Sequence, residues 1–273
     1  MKFRSIVNLV LLVLVLGLSL FIYLKPNQPS QSVFPVSDIS GTSIQHIKIE
    51  KKNQPPLEFQ KRGNTWHIVS PFQARGDNAK IEQILGILTA QSEQQIAATQ
   101  LERFELDRPL LTLTLNQETF KFGTINPLNR LQYVSVRNKI FMLPTGYFAT
   151  AFSQPADFIS KKLLAEDEIP TAFHFPQLKL ERKNGQWTMT PPNPKMDQDQ
   201  LNRFADDWRL ASALHSQPYD QSKPISEYTL HFKNGKSVQF QVLQQQPEFV
   251  LLRTDENIQF HFPQDTAKRL LAP

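Results

Sequence analysis

The sequence predicts an α+β fold: an N-terminal transmembrane helix followed by two copies of a β-hairpin-rich antiparallel module, each with one longer and one short helix. Three observations predict it. Residues 6–24 read IVNLVLLVLVLGLSLFIYL, an apolar run about as long as a bilayer-crossing helix requires. Two tryptophan-centred segments downstream repeat each other in order and spacing, the mark of an internal duplication. Strand signals gather into hairpins without βαβ alternation, as in antiparallel sheets with segregated helices.

The apolar run comes first. Lys2 and Arg4 precede it, which holds the N-terminus on the cytoplasmic side, and Tyr23 suits the far interface. A cleavable signal peptide is the competing reading, with Gly17 and Ser19 as its small pair. Cleavage there would leave the apolar residues 20–24 on the product, which favours an uncleaved anchor. The expectation is a single-pass inner-membrane protein whose bulk is periplasmic or otherwise extracytoplasmic. Residues 25–37 read KPNQPSQSVFPVS, polar and proline-rich like an extended tether. The expected divisions are an anchor over 1–24, a tether over 25–42, and modules over 43–165 and 166–273.

Composition narrows the function classes. The net charge is +5, but two basic residues precede the apolar run and every acidic residue follows it. The mild, mixed-sign remainder lacks the clustered basic stripe that nucleic acid requires, so no nucleic-acid partner is expected. The absence of cysteine rules out disulfides and leaves the redox compartment open. Twenty prolines against nine glycines suit strand edges and turns. Twenty phenylalanines supply core.

The duplication is explicit. Residues 57–85 (LEFQKRGNTWHIVSPFQARGDNAKIEQIL) match residues 178–208 (LKLERKNGQWTMTPPNPKMDQDQLNRFADDW). Each has an alternating strand, a basic and glycine-containing turn, a tryptophan strand, a proline, an aspartate cap and an amphipathic helix. The match continues from LTLTL to YTLHF, from YVSVRN to FVLLRT and from FMLP to FHFP, at an offset of about 116 to 121 residues. Asn184-Gly185 and Asn234-Gly235 each lie between alternating runs and predict type I′ hairpin turns. Asp77 caps a helix carrying Ile81, Ile84, Leu85 and Leu88. Asp197 or Asp199 caps one carrying Leu201, Phe204, Ala205, Trp208 and Leu210. The junction at 163–170 (LLAEDEIP) reads as acidic and exposed.

Residues 100–122 (QLERFELDRPLLTLTLNQETFKF), then Gly123, the Tyr133 strand and residues 140–143 (IFML) resemble the bacterial family catalogued as domain of unknown function 4340. That family has a Trp-x-Ile strand and a tyrosine–glycine–leucine–acidic–x–proline corner. The corner here reads Phe104-Glu105-Leu106-Asp107-Arg108-Pro109, with Phe104 in the tyrosine place and Glu105 in the glycine place. The resemblance covers residues 43–165 well and the second copy weakly. It implies a membrane-anchored envelope protein, in some cases encoded beside ABC-type transporters related to gliding systems, with no catalytic residues to carry over.

No residue is assigned to catalysis, cofactor binding or metal. The six histidines lack the i, i+4 or His-x-His spacing of a metal site, and the sequence leaves open that His231 and His261 converge from adjacent strands of the second copy. There is no Gly-x-Ser-x-Gly elbow and no glycine-rich phosphate loop. The candidate structural or contact residues are Trp66, Trp187, Tyr133, Asp107, Pro109 and Gly123. The two tryptophans read as core under their helices, ahead of stacking on a sugar or anchoring a partner. The expected function is a non-enzymatic protein-interaction module with protein partners in the envelope and no cofactor. A glycan or small-ligand binding module and an uncharacterised hydrolase are the alternatives.

Overall fold

The computed structural model describes residues 2–24 and 33–273, without the side chains at 2–6, 9, 22 and 24. Residues 25–32 of the expected tether lie outside the described residues. Beyond it Phe34–Pro35 pairs with Gln91–Ser92, and the Val36 N–H donates to the Ala90 carbonyl at 3.1 Å.

The first helix is Lys2–Leu24. Among the described residues no helix is long and apolar enough to cross a membrane. This corrects the expected transmembrane helix. The inner-membrane placement, the cytoplasmic N-terminus and the periplasmic bulk all rested on it and are corrected with it, and the expected membrane partner loses its support.

The α+β expectation is corrected as well. Among the described residues the chain is mostly β-sheet, in three antiparallel sheets of two, nine and eight strands, and beyond the first helix the longest α-helix there has 13 residues. The reason is physical. Alternation needs several residues to show itself, whereas the sheets recruit segments such as Ala74–Arg75, Gln91–Ser92, Gln95–Ala97 and His215–Pro218, too short to carry a period. The helix expected over 78–89 is α-helical only through Leu85 and tightens to 3₁₀ over Gly86–Thr89.

The nine-stranded sheet runs Ala74–Arg75, Thr65–Ser70, Leu57–Arg62, His46–Lys51, Leu111–Leu115, Glu118–Ile125, Gln132–Val136, Lys139–Leu143, Gln95–Ala97. The eight-stranded sheet runs Gln186–Thr190, Lys179–Lys183, Pro170–His174, Ser226–Phe232, Ser237–Gln244, Phe249–Arg253, Ile258–Phe262, His215–Pro218. Apart from the added Ala74–Arg75, the two orders correspond strand for strand. Asn184-Gly185 carries φ of +53° and +85°, as a type I′ turn needs. Asn234-Gly235 differs, because only Gly235 (+81°) is left-handed. That loop closes through the Phe232 N–H on the Lys236 carbonyl at 2.9 Å, which relaxes the two-residue geometry.

Helices cover the sheets. Ile81, Ile84 and Leu85 are buried under the first module's helix Asn78–Leu85. Leu201, Phe204 and Trp208 do the same from Gln198–Leu210 in the second. One contiguous apolar core includes residues of both sheets. The junction expected to be exposed is so only in part: Glu166, Asp167 and Ile169 are exposed, whereas Leu163, Leu164 and Glu168 are buried.

Candidate functional site

The segment that joins the two sheets is clamped on both sides. The Ser160 N–H donates to the Arg75 carbonyl at 2.8 Å, and the Leu163 N–H to the Ala211 carbonyl at 2.9 Å. Arg75 Nη2 donates to the carbonyls of Lys162 (2.9 Å) and Leu163 (3.0 Å), and its Nε pairs with Glu256. Arg253, at the end of Phe249–Arg253, donates from Nη1 to the Leu163 carbonyl (3.0 Å) and Glu168 Oε2 (2.7 Å). Its Nη2 meets Glu168 Oε1 at 2.5 Å and its Nε meets Asp255 at 2.9 Å. Both arginines and Glu168 are buried.

Burial alone would push the Glu168 carboxyl up. The hydrogen bonds and charge of Arg253, the Ala165 N–H and the charge of Arg75 outweigh it and hold the group below its ordinary value. Burial likewise disfavours the Arg253 cation, yet Glu168 and Asp255 keep it firmly protonated. A cleft of ≈ 790 Å³ opens beside this network, lined by residues of both modules including His67, Arg75, Glu168, Lys236, Arg253 and Glu256. His67 is pushed down, first by burial. His67 Nδ1 and Glu256 Oε2 are buried without a hydrogen-bond partner among the described residues, and unmet polar atoms of this kind invite a bound group.

The residues singled out in sequence take mostly structural places. Trp66 and Trp187 are buried, and each backbone N–H donates to an amide at the first position of the following helix. Asn78 receives Trp66 at 3.0 Å, and Gln198 receives Trp187 at 2.9 Å. A Cβ at Gly123 would fall 2.1 Å from the Phe104 carbonyl oxygen and 3.0 Å from Leu106, so the corner packs on bare backbone. Glu105 has φ +56°, a left-handed conformation in the place where the family pattern has glycine. Tyr133 lies against Phe104 with ring centroids 4.4 Å apart, and its hydroxyl accepts from Asn126 at 3.0 Å. Asp107 and Pro109 instead face a groove of ≈ 410 Å³ with Lys51, Lys52, Leu110 and Phe152. Leu110 and Phe152 are exposed there.

Sequence reasoning missed the arginine network and the histidine pairs. Arg137 and Arg253 stand at equivalent positions of YVSVRN and FVLLRT, and that repetition was the available signal. His231 and His261 do not converge on each other. His231 lies 3.3 Å from His174 through ring nitrogens, while His261 stacks on His215 at 4.1 Å. Glu248 Oε2 is 3.1 Å from His261 Nδ1. Ser237 Oγ lies 2.7 Å from His231 Nδ1, the spacing of a nucleophile and base. The far side of that imidazole meets another imidazole, and Glu181 beyond it is paired with Lys183 at 2.8 Å. The orienting carboxylate of a triad is therefore missing from His231.

A family model described as Domain of unknown function (DUF4340) matches residues 66–231. The match begins on the first tryptophan strand and runs well into the eight-stranded sheet, farther than the corner motifs alone. No curated protein and no solved structure matches the chain.

Proposed function

The chain belongs to the DUF4340 family, and from that premise we propose that it is a non-enzymatic protein-interaction module, accessory to a larger assembly such as an ABC-type transporter or surface machinery. One observation supports the reading above others. The two buried arginines are each paired, Arg253 with the buried Glu168 and the exposed Asp255, and Arg75 with Glu256. What faces outward at the corner is an apolar pair, Leu110 and Phe152, rimmed by Lys51, Lys52 and Arg108. Protein interfaces combine apolar centres with charged rims in this way. The test is affinity purification of the full chain from its native host beside Leu110→Asp/Lys52→Glu. Loss of the co-purifying proteins from a variant with unchanged melting temperature is expected. An identical set from both proteins would sink the reading.

The unmet His67 Nδ1 and Glu256 Oε2 favour a second reading, a small polar ligand in the inter-module cleft. A compound that raises the melting temperature of the wild type, but not of His67→Phe, would bring it to the front.

A further inference from the structure

His215, Glu248 and His261 come together on the second sheet although the sequence scatters them. The strand His215–Pro218 pairs with Ile258–Phe262 so that His215 lies directly opposite His261. On the other flank of that strand Val250 lies opposite His261, and Glu248 stands just ahead of Phe249–Arg253. One ligand-type atom from each of the three side chains lies within 4.8 Å of the others.

We propose that these three side chains form a site for a divalent transition-metal ion of the zinc, cobalt or nickel kind, beyond anything the interaction reading requires. Two imidazoles and one carboxylate suit these ions, while magnesium and calcium prefer oxygen alone. Spacing supports the assignment. Two donors on such an ion at about 2.1 Å each lie about 3.0–3.4 Å apart, and Glu248 Oε2 to His261 Nδ1 is already 3.1 Å. The third donor has further to come. His215 stacks on His261 with a ring angle of 20°, so its ring must turn off the stack to share an ion. It is free to do so, being exposed on the outermost strand of the sheet. The backbones are held meanwhile, since the Leu214 N–H donates to the His261 carbonyl at 2.8 Å. Three protein ligands leave a position for water, as at open zinc sites. Lys161, beside His215, opposes a cation and limits affinity.

The experiment uses the full chain without a histidine tag, stripped with chelator and titrated with Zn²⁺ by calorimetry and with Co²⁺ by visible absorption. One ion per chain is expected. His215→Ala, His261→Ala and Glu248→Gln should each weaken it at least about tenfold, and His174→Ala, in the other histidine pair, should leave it unchanged. The exposed His215→Ala variant should keep the wild-type melting temperature without metal and lose the metal-induced rise. Absence of saturable binding up to about 1 mM metal, or equal affinity in wild type, His215→Ala and His261→Ala, would overturn the site and leave a plain His261–Glu248 hydrogen bond.

Discussion

Arg137, just past Gln132–Val136, and Arg253, at the end of Phe249–Arg253, stand at equivalent places in the two modules, and each grips the segment that leads into its own module. Arg137 Nη2 donates to the Val36 carbonyl at 2.8 Å, its Nε meets Glu118 at 3.1 Å, and it also pairs with Asp38. Arg253 holds the Leu163 carbonyl and Glu168 in the same manner. The surroundings differ. The Arg137 side chain is 43% exposed and the Arg253 side chain 3%. In the first clamp water reaches the arginine, although Glu118 beneath it is buried. The second lies against Arg75 and Glu256, where the nine-stranded sheet meets the eight-stranded one. One device, duplicated, has become a surface tie in one copy and an inter-module lock in the other, because burial raises the cost of leaving either charge alone.

The largest test of that contrast is Arg253→Ala. It strands Glu168 in a buried site and should cost about 3–5 kcal/mol, read as a shift in the urea midpoint. A cost no greater than that of Arg137→Ala would break the comparison. Gly123→Ala should follow at about 3 kcal/mol, since the new methyl meets the Phe104 carbonyl. It probes the corner that only the first module carries, and a neutral result would show the corner to be pliable. Arg137→Ala should cost about 1–2 kcal/mol, since it leaves the buried Glu118 with the Ser37 hydroxyl while water still reaches the arginine's side, and the loss should shrink in high salt.

Acidity gives the smallest and most selective test. The Glu168 carboxyl is held below its ordinary value, so its stabilisation is full above the ordinary glutamate range and is lost as pH falls through the lower folded value. His67 has its folded value lowered by burial. The unfolded chain therefore takes that proton first, and stability declines as pH falls below about 6.5. Melting temperature should fall with acidification in both windows. Glu168→Gln should flatten the more acidic one, and His67→Phe the one nearer neutrality. A wild-type profile flat from neutrality to strong acid would contradict both assignments.

Much of the local architecture was legible. Asp77 accepts from the Lys80 N–H at 3.2 Å, and Asp197 from the Gln200 N–H at 2.8 Å, as capping aspartates within a turn of the helices they start. The buried stripes on both helices fall where the helical period put them, except that Leu210, at the end of the second, is exposed. Less of the candidate sites was legible. Arg75 lies on a two-residue strand, too short for any pattern. His215 reaches His261 only through a four-residue edge strand ending in proline, which single-sequence propensity does not favour. Glu168 looked like part of a solvated acidic run until Arg253, far along the chain, covered it.

By itself the sequence determined the repeated local devices: tryptophan strands, aspartate caps, the Asn184-Gly185 turn and the glycine under the corner. Each is built within a few residues, where backbone geometry and short hydrogen bonds decide. Only the tertiary structure decided which charges are buried, which histidines meet, and that one core runs through both sheets. Those outcomes depend on burial and on contacts between distant strands, and no local pattern encodes them.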